Sequence, residues 1–262
     1  MELNKIYNAD VNEFLDQLEN GSVNLIIADP PYNQHKCGWD SFESEQSYWQ
    51  FMQSWLLKIC DKLALGGGVY LFNTSYNSAL IVNLLKDSDL SFRNWITWFK
   101  KDGFSATRKK YVNMQETILF YTKGDNYCFN FNDIRIPYES TERIAHAAKK
   151  GILKNGRRWF PNPGGKLCGD VWAIPSQRHK EKQNGKVKPS RHPTIKPQQM
   201  IERMVLASSN PGEVVLDLFS GSGMTSITAK KLGRRFIGCE NNQEYLQKIA
   251  EEGIEIGRIY LP

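Results

Sequence analysis

Short apolar runs alternate along the chain with longer stretches in which apolar residues recur at helical spacing. The short runs are rich in β-branched and aromatic residues, which is typical of strands buried on both faces of a mainly parallel sheet. The predicted strands are residues 23–28, 68–73, 95–99, 117–122, 214–219 and 235–239. The predicted helices are residues 47–65, 78–86, 198–208, 225–232 and 242–252. This alternation predicts an α/β fold of three layers, with helices on both faces of the sheet.

The helix predicted over residues 47–65 shows the clearest periodicity. Met52, Trp55 and Ile59 fall on one face, at spacings of three and four residues. An apolar stripe of this kind is typical of core packing rather than of a ligand site. Three consecutive glycines at 66–68 are expected to end the helix.

Residues 131–191 interrupt the alternation of strands and helices, because they show no sustained periodicity. The chain is therefore predicted to have three parts. Residues 1–130 and 192–262 form the two halves of a core, and residues 131–191 are inserted between them. Within the insertion, residues 180–190 are rich in lysine and polar residues and are expected to form a loop.

Positive charge is concentrated in the same insertion. The whole chain has a net charge of +6, but residues 141–191 contain 13 lysines and arginines against three acidic residues. That segment carries a charge of +10, which leaves −4 for the remainder. The ordinary explanation of such a run of charges is a solvated face. Here, however, the basic residues alternate with Trp159, Phe160 and Trp172, a combination that favours a nucleic-acid surface.

Composition argues against several other classes of protein. The five cysteines are widely spaced and include no C-x-x-C pair, which indicates reduced thiols in a cytoplasmic protein and no metal site. No apolar run approaches 18 residues, and the chain does not open on an apolar segment of the signal type. Neither a membrane span nor a secretion signal is therefore predicted.

The motif Asp29-Pro30-Pro31-Tyr32 follows directly on the apolar run 23–28. Consecutive prolines cannot continue a strand ladder, because each lacks an N–H and has a fixed φ. The motif is therefore expected to form a stiff turn that presents a carboxylate, a backbone carbonyl and an aromatic ring. The two oxygens can accept the hydrogens of a base's exocyclic amine while the ring stacks on the base, which suits methyl transfer to that amine. The alternative is an ordinary Asp-Pro turn.

A second motif runs from Asp217 to Thr225 and reads as a buried strand, a glycine-rich turn and a helix start. Its glycines allow close backbone approach, and the helix N-terminus offers N–H groups to an anion. About 20 residues later, Glu240 and Asn241 end the next strand, where a carboxylate can accept both ribose hydroxyls of an adenosyl group. Alone, Glu240 could equally be a helix N-terminal acid. Ser226 replaces the third glycine of a dinucleotide fingerprint, so S-adenosylmethionine fits better than a nicotinamide cofactor.

With both motifs, the chain resembles the β class of S-adenosylmethionine-dependent amino-methyltransferases of DNA. In that class the DPPY motif comes first, a target-recognition region follows and the glycine-rich loop comes last, as here. Residues 8–10 (NAD), 116–120 (ETILF) and 192–197 (HPTIKP) also match the family. The stretches RRWFPNP at 157–163 and SQRHKEK at 176–182 are similar to the MboII-type modification enzymes.

The resemblance implies a Rossmann-like methyltransferase sheet and an enzyme that methylates the N6 amine of adenine in double-stranded DNA. It assigns the catalytic half to residues 1–130, target recognition to 131–191 and cofactor binding to 192–262. It also implies a restriction–modification system with a cognate endonuclease that shares the site, and a homodimer. The alternatives are an N4-cytosine methyltransferase, an enzyme acting on RNA or on protein glutamine, and a catalytically silent DNA-binding module.

The resemblance also assigns residues to the site. The implied catalytic residues are Asp29, Pro30, Pro31 and Tyr32. The implied cofactor-binding residues are Asp10, Asp29, Thr194, Lys196, Asp217, Phe219, Ser220, Gly221, Ser222, Gly223, Thr225, Glu240 and Asn241. The implied DNA-binding residues are Arg157, Arg158, Arg178, His179, Lys180, Lys182, Lys186 and Lys188. Met224 stands where the family more often has Thr, so no direct contact is predicted there.

Overall fold

A computed structural model describes residues 1–100, 108–176, 180–183, 186–189 and 195–259, with the backbone alone for 180–183 and 186–189. Its helices are α1 (Val11–Gln17), α2 (Glu45–Leu56), α3 (Lys58–Lys62), α4 (Ser75–Leu85), α5 (Thr141–Lys150), α6 (Gln198–Ser208), α7 (Met224–Lys231) and α8 (Gln243–Glu251). Its strands are β1 (Lys5–Asn8), β2 (Val23–Ala28), β3 (Leu63–Asn73), β4 (Leu90–Phe99), β5 (Gln115–Lys123), β6 (Ile152–Lys154), β7 (Arg157–Trp159), β8 (Val171–Ala173), β9 (Lys180–Gln183), β10 (Lys186–Pro189), β11 (Val214–Asp217), β12 (Arg235–Glu240) and β13 (Glu255–Arg258).

Among the described residues, nine strands form one sheet in the order β13-β1-β12-β11-β2-β3-β5-β4-β8. Six of its eight neighbouring pairs are parallel, and the two pairs that β5 makes with β3 and β4 are antiparallel. The predicted α/β fold with a mostly parallel sheet is confirmed. Strands β2 and β11 come from opposite halves of the chain and lie side by side, so the two motifs that follow them meet at one edge.

Helices cover both faces of this sheet. On one face, α1, α2 and α4 bury residues such as Phe14, Trp55 and Ile81 against the strands. On the other face, α6 and α8 bury residues such as Met204 and Ile249. The three predicted layers are therefore present. Within the described ranges, no helix has the length and apolar character that crossing a membrane requires.

The helix predicted over residues 47–65 is wrong in its last part. Helix α2 ends at Leu56, the short α3 ends at Lys62, and β3 already begins at Leu63. Leu63 pairs with Val23 of β2, so the last turn of the predicted helix is taken into the sheet. Sheet pairing is a tertiary interaction that local periodicity does not report.

The glycines predicted to stop this helix instead allow a bulge in β3. Between the pairs Val23–Leu63 and Leu25–Gly68, β3 contains four residues against one in β2, which is three more. Gly67 is required there, because a Cβ at this position would come within 2.7 Å of the Asn24 carbonyl oxygen. Gly66 and Gly67 thus allow close packing of neighbouring backbones.

The insertion is only partly separate from the core. Helix α5 and the antiparallel hairpin of β6 and β7 lie outside the central sheet, but β8 joins that sheet as a parallel neighbour of β4. Strands β9 and β10 pair as an antiparallel ribbon at 180–183 and 186–189, where the sequence predicts a loop. The loop prediction is therefore wrong for these residues. The boundaries of the insertion at 131–191 stay a prediction.

Candidate active site

A cavity opens at the carboxyl ends of three neighbouring parallel strands. Strands β2, β11 and β12 end at or just before Asp29, Asp217 and Glu240, and all three acids line the cavity. This is the edge at which open α/β sheets bind their ligands. The first motif contributes Asp29, Pro30, Pro31 and Tyr32, and the second contributes Asp217, Phe219, Ser220, Gly221, Ser222, Met224 and Thr225.

The carboxylate of Asp29 is fixed by two donors. Its Oδ2 lies 2.6 Å from Lys196 Nζ, and its Oδ1 accepts a 2.7 Å hydrogen bond from the Tyr32 hydroxyl. The side chain is 27% exposed, so it faces the cavity and not open solvent. The predicted corner therefore holds its acid in one orientation beside the glycine-rich turn.

Glu116 on β5 extends this network. Its Oε2 lies 3.3 Å from the Tyr32 hydroxyl and 3.6 Å from Lys196 Nζ. Its Oε1 forms an ion pair with Lys100. Lys100, Glu116, Lys196 and Asp29 thus form a row of alternating charges, and the Tyr32 hydroxyl lies between the two carboxylates.

The charges in this cluster support one another. Burial alone would lower the pKa of Lys196, but the carboxylates of Asp29 and Glu116 outweigh it and raise that pKa. Burial alone would raise the pKa of Glu116, but Lys196 and Lys100 outweigh it and lower that pKa. Burial, followed by the two carboxylates, raises the pKa of Tyr32 well above its ordinary value. At neutral pH the phenol is therefore a neutral donor between charged partners.

A buried acid, Asp40, shapes the segment after the first motif. Its side chain is 3% exposed and accepts hydrogen bonds from the backbone N–H groups of Tyr32 at 2.7 Å, Gln34 at 3.1 Å and Lys36 at 3.4 Å. These bonds satisfy a buried charge and fix the backbone that carries Tyr32. Further along the segment, Trp39 donates from Nε1 to the Tyr245 hydroxyl at 3.1 Å, which links it to α8.

The glycine-rich turn is tied to Glu240. Its backbone is left-handed at Gly221 and Gly223, with φ of 47° and 73°, conformations that glycine adopts without strain. The Glu240 carboxylate accepts 2.7 Å and 2.8 Å hydrogen bonds from the backbone N–H groups of Gly221 and Asn242. Burial raises the pKa of Glu240, and these backbone bonds partly oppose the rise. The acid is thus held at the cavity wall with lone pairs left for further donors.

Asp217 lies deeper, beneath the turn. Its side chain is buried, and the Ser226 hydroxyl lies 3.4 Å from its Oδ2. Burial, and then the nearby Glu240 carboxylate, raise the pKa of Asp217 to about 7. Near neutral pH this side chain therefore exists in both protonated and ionised forms.

The cavity brings together most of the residues predicted from the sequence. All four catalytic residues line it, as do ten predicted cofactor residues: Asp29, Lys196, Asp217, Phe219, Ser220, Gly221, Ser222, Thr225, Glu240 and Asn241. Gly223 is the N-cap residue of α7, outside the lining. Asp10 is exposed outside the lining and caps α1 by accepting from the Asn12 N–H at 2.8 Å. Met224 lines the cavity although no contact is predicted there. Thr194 lies outside the described residues.

Other lining residues were missed by sequence reasoning. Glu116 is predicted only as part of the stretch 116–120 that matches the family, Tyr245 only as part of a helix, and Asp40 and Trp39 carry no prediction. The roles of Glu116, Trp39 and Tyr245 depend on contacts between distant parts of the chain. Asp40 acts on backbone N–H groups four to eight positions earlier, which carry no side-chain signal in the sequence. Over the described residues, no group of His, Cys, Asp and Glu is arranged to hold a metal ion.

The basic insertion presents part of its charge on an exposed hairpin. Every residue of β6 and β7 is exposed, including Arg157, Arg158 and Trp159. Arg158 donates to the Lys150 carbonyl at the end of α5, which ties the hairpin to the helix. Arg178 and His179 lie outside the described residues, as do the side chains of Lys180, Lys182, Lys186 and Lys188.

Comparison with known proteins agrees with this geometry. The DNA methylase family matches residues 23–252. The chain is 53% identical to the type II methyltransferase M1.MboII of Moraxella bovis, over 95% of both chains. It is 33% identical to the type II methyltransferase M.BglII of Bacillus subtilis, over 93% of this chain and 67% of that one. A crystal structure of the M1.HpyAVI–SAM complex shares the fold, with a TM-score of 0.62 and 22% identity over 94% of this chain and 97% of that one.

The family match covers most of the chain and includes both motifs that line the cavity. The predicted enzyme class, a DNA methyltransferase, is confirmed, and the silent DNA-binding module is set aside. The chain belongs to the DNA methylase family.

Proposed function

We propose that this enzyme transfers a methyl group from S-adenosylmethionine to the N6 amine of adenine in duplex DNA. The observation that carries the proposal is the shared cavity, in which the Asp29 corner and the glycine-rich turn with Glu240 face the same space. The Asp29 corner is suited to an amine substrate, and the glycine-rich turn with Glu240 is suited to an adenosyl ligand. Asp at position 29 favours adenine over cytosine, a preference that follows from the family resemblance.

The residues around the turn fit the cofactor. Glu240 is fixed by two backbone N–H groups and keeps acceptor capacity for the two ribose hydroxyls. The N-terminus of α7 follows the turn and offers N–H groups to the cofactor's carboxylate. When bound, S-adenosylmethionine supplies a methyl group on a positively charged sulfur, which is the electrophile of the reaction.

The Asp29 corner would activate the amine. The lone pair of an exocyclic amine is delocalised into the base, which makes the nitrogen a weak nucleophile. Asp29 and the Pro30 carbonyl can each accept one of its hydrogens, so that the lone pair is directed at the methyl group. Acceptors that are already in place act on charge that develops in the transition state, without reorganisation.

Tyr32 would hold the base next to this corner. Its hydroxyl is bonded to Asp29, so a base stacked on the ring brings its amine to the same carboxylate. Stacking of a base on an aromatic ring contributes about 1–3 kcal/mol. This offsets part of the cost of turning the base out of the duplex, which is on the order of a few kcal/mol.

The insertion is the proposed DNA-binding part. Its exposed arginines on β7 and the lysines of the β9–β10 ribbon supply positive charge for phosphates, which sets the register of the protein on the duplex. In this proposal residues 1–130 carry catalysis, residues 131–191 recognise the target and residues 192–262 bind the cofactor.

The type II relatives support a place in a restriction–modification system. We propose that the enzyme protects a DNA site that a cognate endonuclease cleaves, without a stable complex between the two proteins. We further propose that the enzyme forms a homodimer and is located in the cytoplasm.

Mapping of modified bases tests the proposal. The gene is expressed in a bacterial host without DNA methylation, and long-read sequencing is compared with an empty-vector control. The expected result is N6-methyladenine at one short asymmetric site. Detection of N4-methylcytosine instead would show that the target base is cytosine and not adenine. Unmodified DNA in the presence of folded protein would contradict DNA methylation altogether.

A further inference from the structure

The acceptor that the target amine needs is already engaged. Both oxygens of Asp29 accept from protein donors, Oδ1 from the Tyr32 hydroxyl at 2.7 Å and Oδ2 from Lys196 Nζ at 2.6 Å. A carboxylate paired with an ammonium group attracts a further donor less strongly, because the positive charge offsets its own. The amine therefore has to compete with two donors for Asp29.

The Tyr32 hydroxyl and Lys196 Nζ each have a second acceptor within reach, and one atom serves as that acceptor for both. Oε2 of Glu116 lies 3.3 Å from the Tyr32 hydroxyl and 3.6 Å from Lys196 Nζ. A phenol has one hydrogen, so Tyr32 donates to one carboxylate at a time. Shortening these distances to a normal length of about 2.8 Å needs a shift of less than about 1 Å.

We propose that Glu116 is a positioning residue that takes both donors from Asp29 when the target amine arrives. Asp29 is then left to accept from the amine with its full negative charge. The inference rests on the proposed transfer to a ring amine and adds the device that frees the acceptor for it.

The surroundings of Glu116 suit this role. Its side chain is 15% exposed and lies on β5, in the interior of the central sheet, so its position is fixed. The ion pair with Lys100 uses Oε1 and leaves Oε2 directed at the two donors. Lys196 and Lys100 also outweigh burial and keep the pKa of Glu116 low, so the carboxylate remains ionised when the donors shift.

Glu116→Gln tests the inference, because it keeps the shape of the side chain and removes its charge. Lys196 should then keep its ion pair with Asp29 when the amine arrives. We expect the single-turnover rate of methyl transfer to fall about 10-fold or more, with apparent dissociation constants for DNA and S-adenosylmethionine within about 2-fold of the wild type. Glu255→Gln is the matched control, since Glu255 is an exposed carboxylate that also pairs with a lysine, Lys5, and it lies at the start of β13, at the opposite end of the sheet from the cavity. Its rate should equal that of the wild type.

A coupling measurement separates this role from general structural support. If Glu116 acts by drawing the phenol away from Asp29, its loss should matter less once that donor is gone. The rate reduction caused by Glu116→Gln should therefore be smaller in a Tyr32→Phe background than in the wild type. Equal reductions in both backgrounds would overturn the inference.

Two measurements without turnover complete the test. Fluorescence of 2-aminopurine at the target position reports base flipping, and calorimetry reports cofactor binding; both should be unchanged in Glu116→Gln. If that variant fails to fold, Glu116→Asp, which withdraws the carboxylate by one methylene, should show a reduced rate. A full rate in either folded variant would overturn the inference while the proposed function stands. Absence of transfer by the wild type and Glu255→Gln would overturn both.

Discussion

At the scale of single residues, burial sets the charge of Asp217. Its pKa is raised to about 7 by burial and by Glu240, whereas the unfolded chain ionises this residue near 3.8. Between these values the folded protein holds a proton that the unfolded chain has lost. The contribution of this group to stability is therefore complete below about pH 4 and is lost as the pH rises through about 7.

Asp217→Asn should remove this pH dependence, because the amide resembles the protonated acid. We expect the free energy of unfolding of the variant to match the wild type near pH 4 and to exceed it at pH 8 by on the order of 2–4 kcal/mol. Urea unfolding of both proteins at the two pH values measures the difference. Asp87→Asn, at an exposed aspartate, is the control and should show no such change. A difference of equal size at both pH values would argue against a raised pKa.

The residues that could be predicted from the sequence are those whose neighbours in the chain define them. Asp29 and Tyr32 belong to one rigid turn, and the position of Glu240 follows from a strand end. Glu116 and Asp40 could not be predicted in the same way. Glu116 meets Tyr32 across 84 positions of sequence, and Asp40 acts through backbone N–H groups that any residue type could supply.

At the scale of elements, the ribbon of β9 and β10 carries Lys180, Lys182, Lys186 and Lys188. If these lysines contact phosphates, binding releases condensed counterions and the affinity falls steeply with salt. Their replacement by Gln should weaken DNA binding and reduce the slope of log K against log salt by about 0.9 for each lost contact. Fluorescence anisotropy with duplex DNA over a range of salt concentrations measures this slope.

A matched control uses four lysines at the far ends of helices. Lys86 follows α4, Lys230 and Lys231 close α7, and Lys248 lies in the last turn of α8. Helices α4, α7 and α8 each begin after a strand end at the cavity edge, so their last turns point away from it. Gln at these four positions should leave the slope unchanged. An unaltered slope in the ribbon variant would show that the ribbon does not contact phosphates.

Element boundaries show what local patterns miss. The buried strands and most helices are predicted because their periodicity reflects burial on one or two faces. Contacts across the fold set three features that the patterns miss: the break between α2 and α3, the early start of β3, and the pairing of β8 with β4. The short strands β1 and β13 at one edge escape prediction for the same reason.

At the scale of the whole molecule, the order of strands creates the site. Parallel pairing of β2 with β11, and of β11 with β12, places three acids from separate parts of the chain at one edge. The sequence alone predicts both motifs and, through the family resemblance, their cooperation. The distances between them depend on sheet register, which only the structure supplies.

Asp29 is proposed to activate the amine across a cavity that is shared with the cofactor. The most direct test is the transfer of tritiated methyl groups from S-adenosylmethionine to duplex DNA by Asp29→Ala, with Asp87→Ala as control. We predict a rate reduced by about 1,000-fold or more, with DNA and cofactor binding retained and the control fully active. Undiminished transfer by Asp29→Ala would contradict the account.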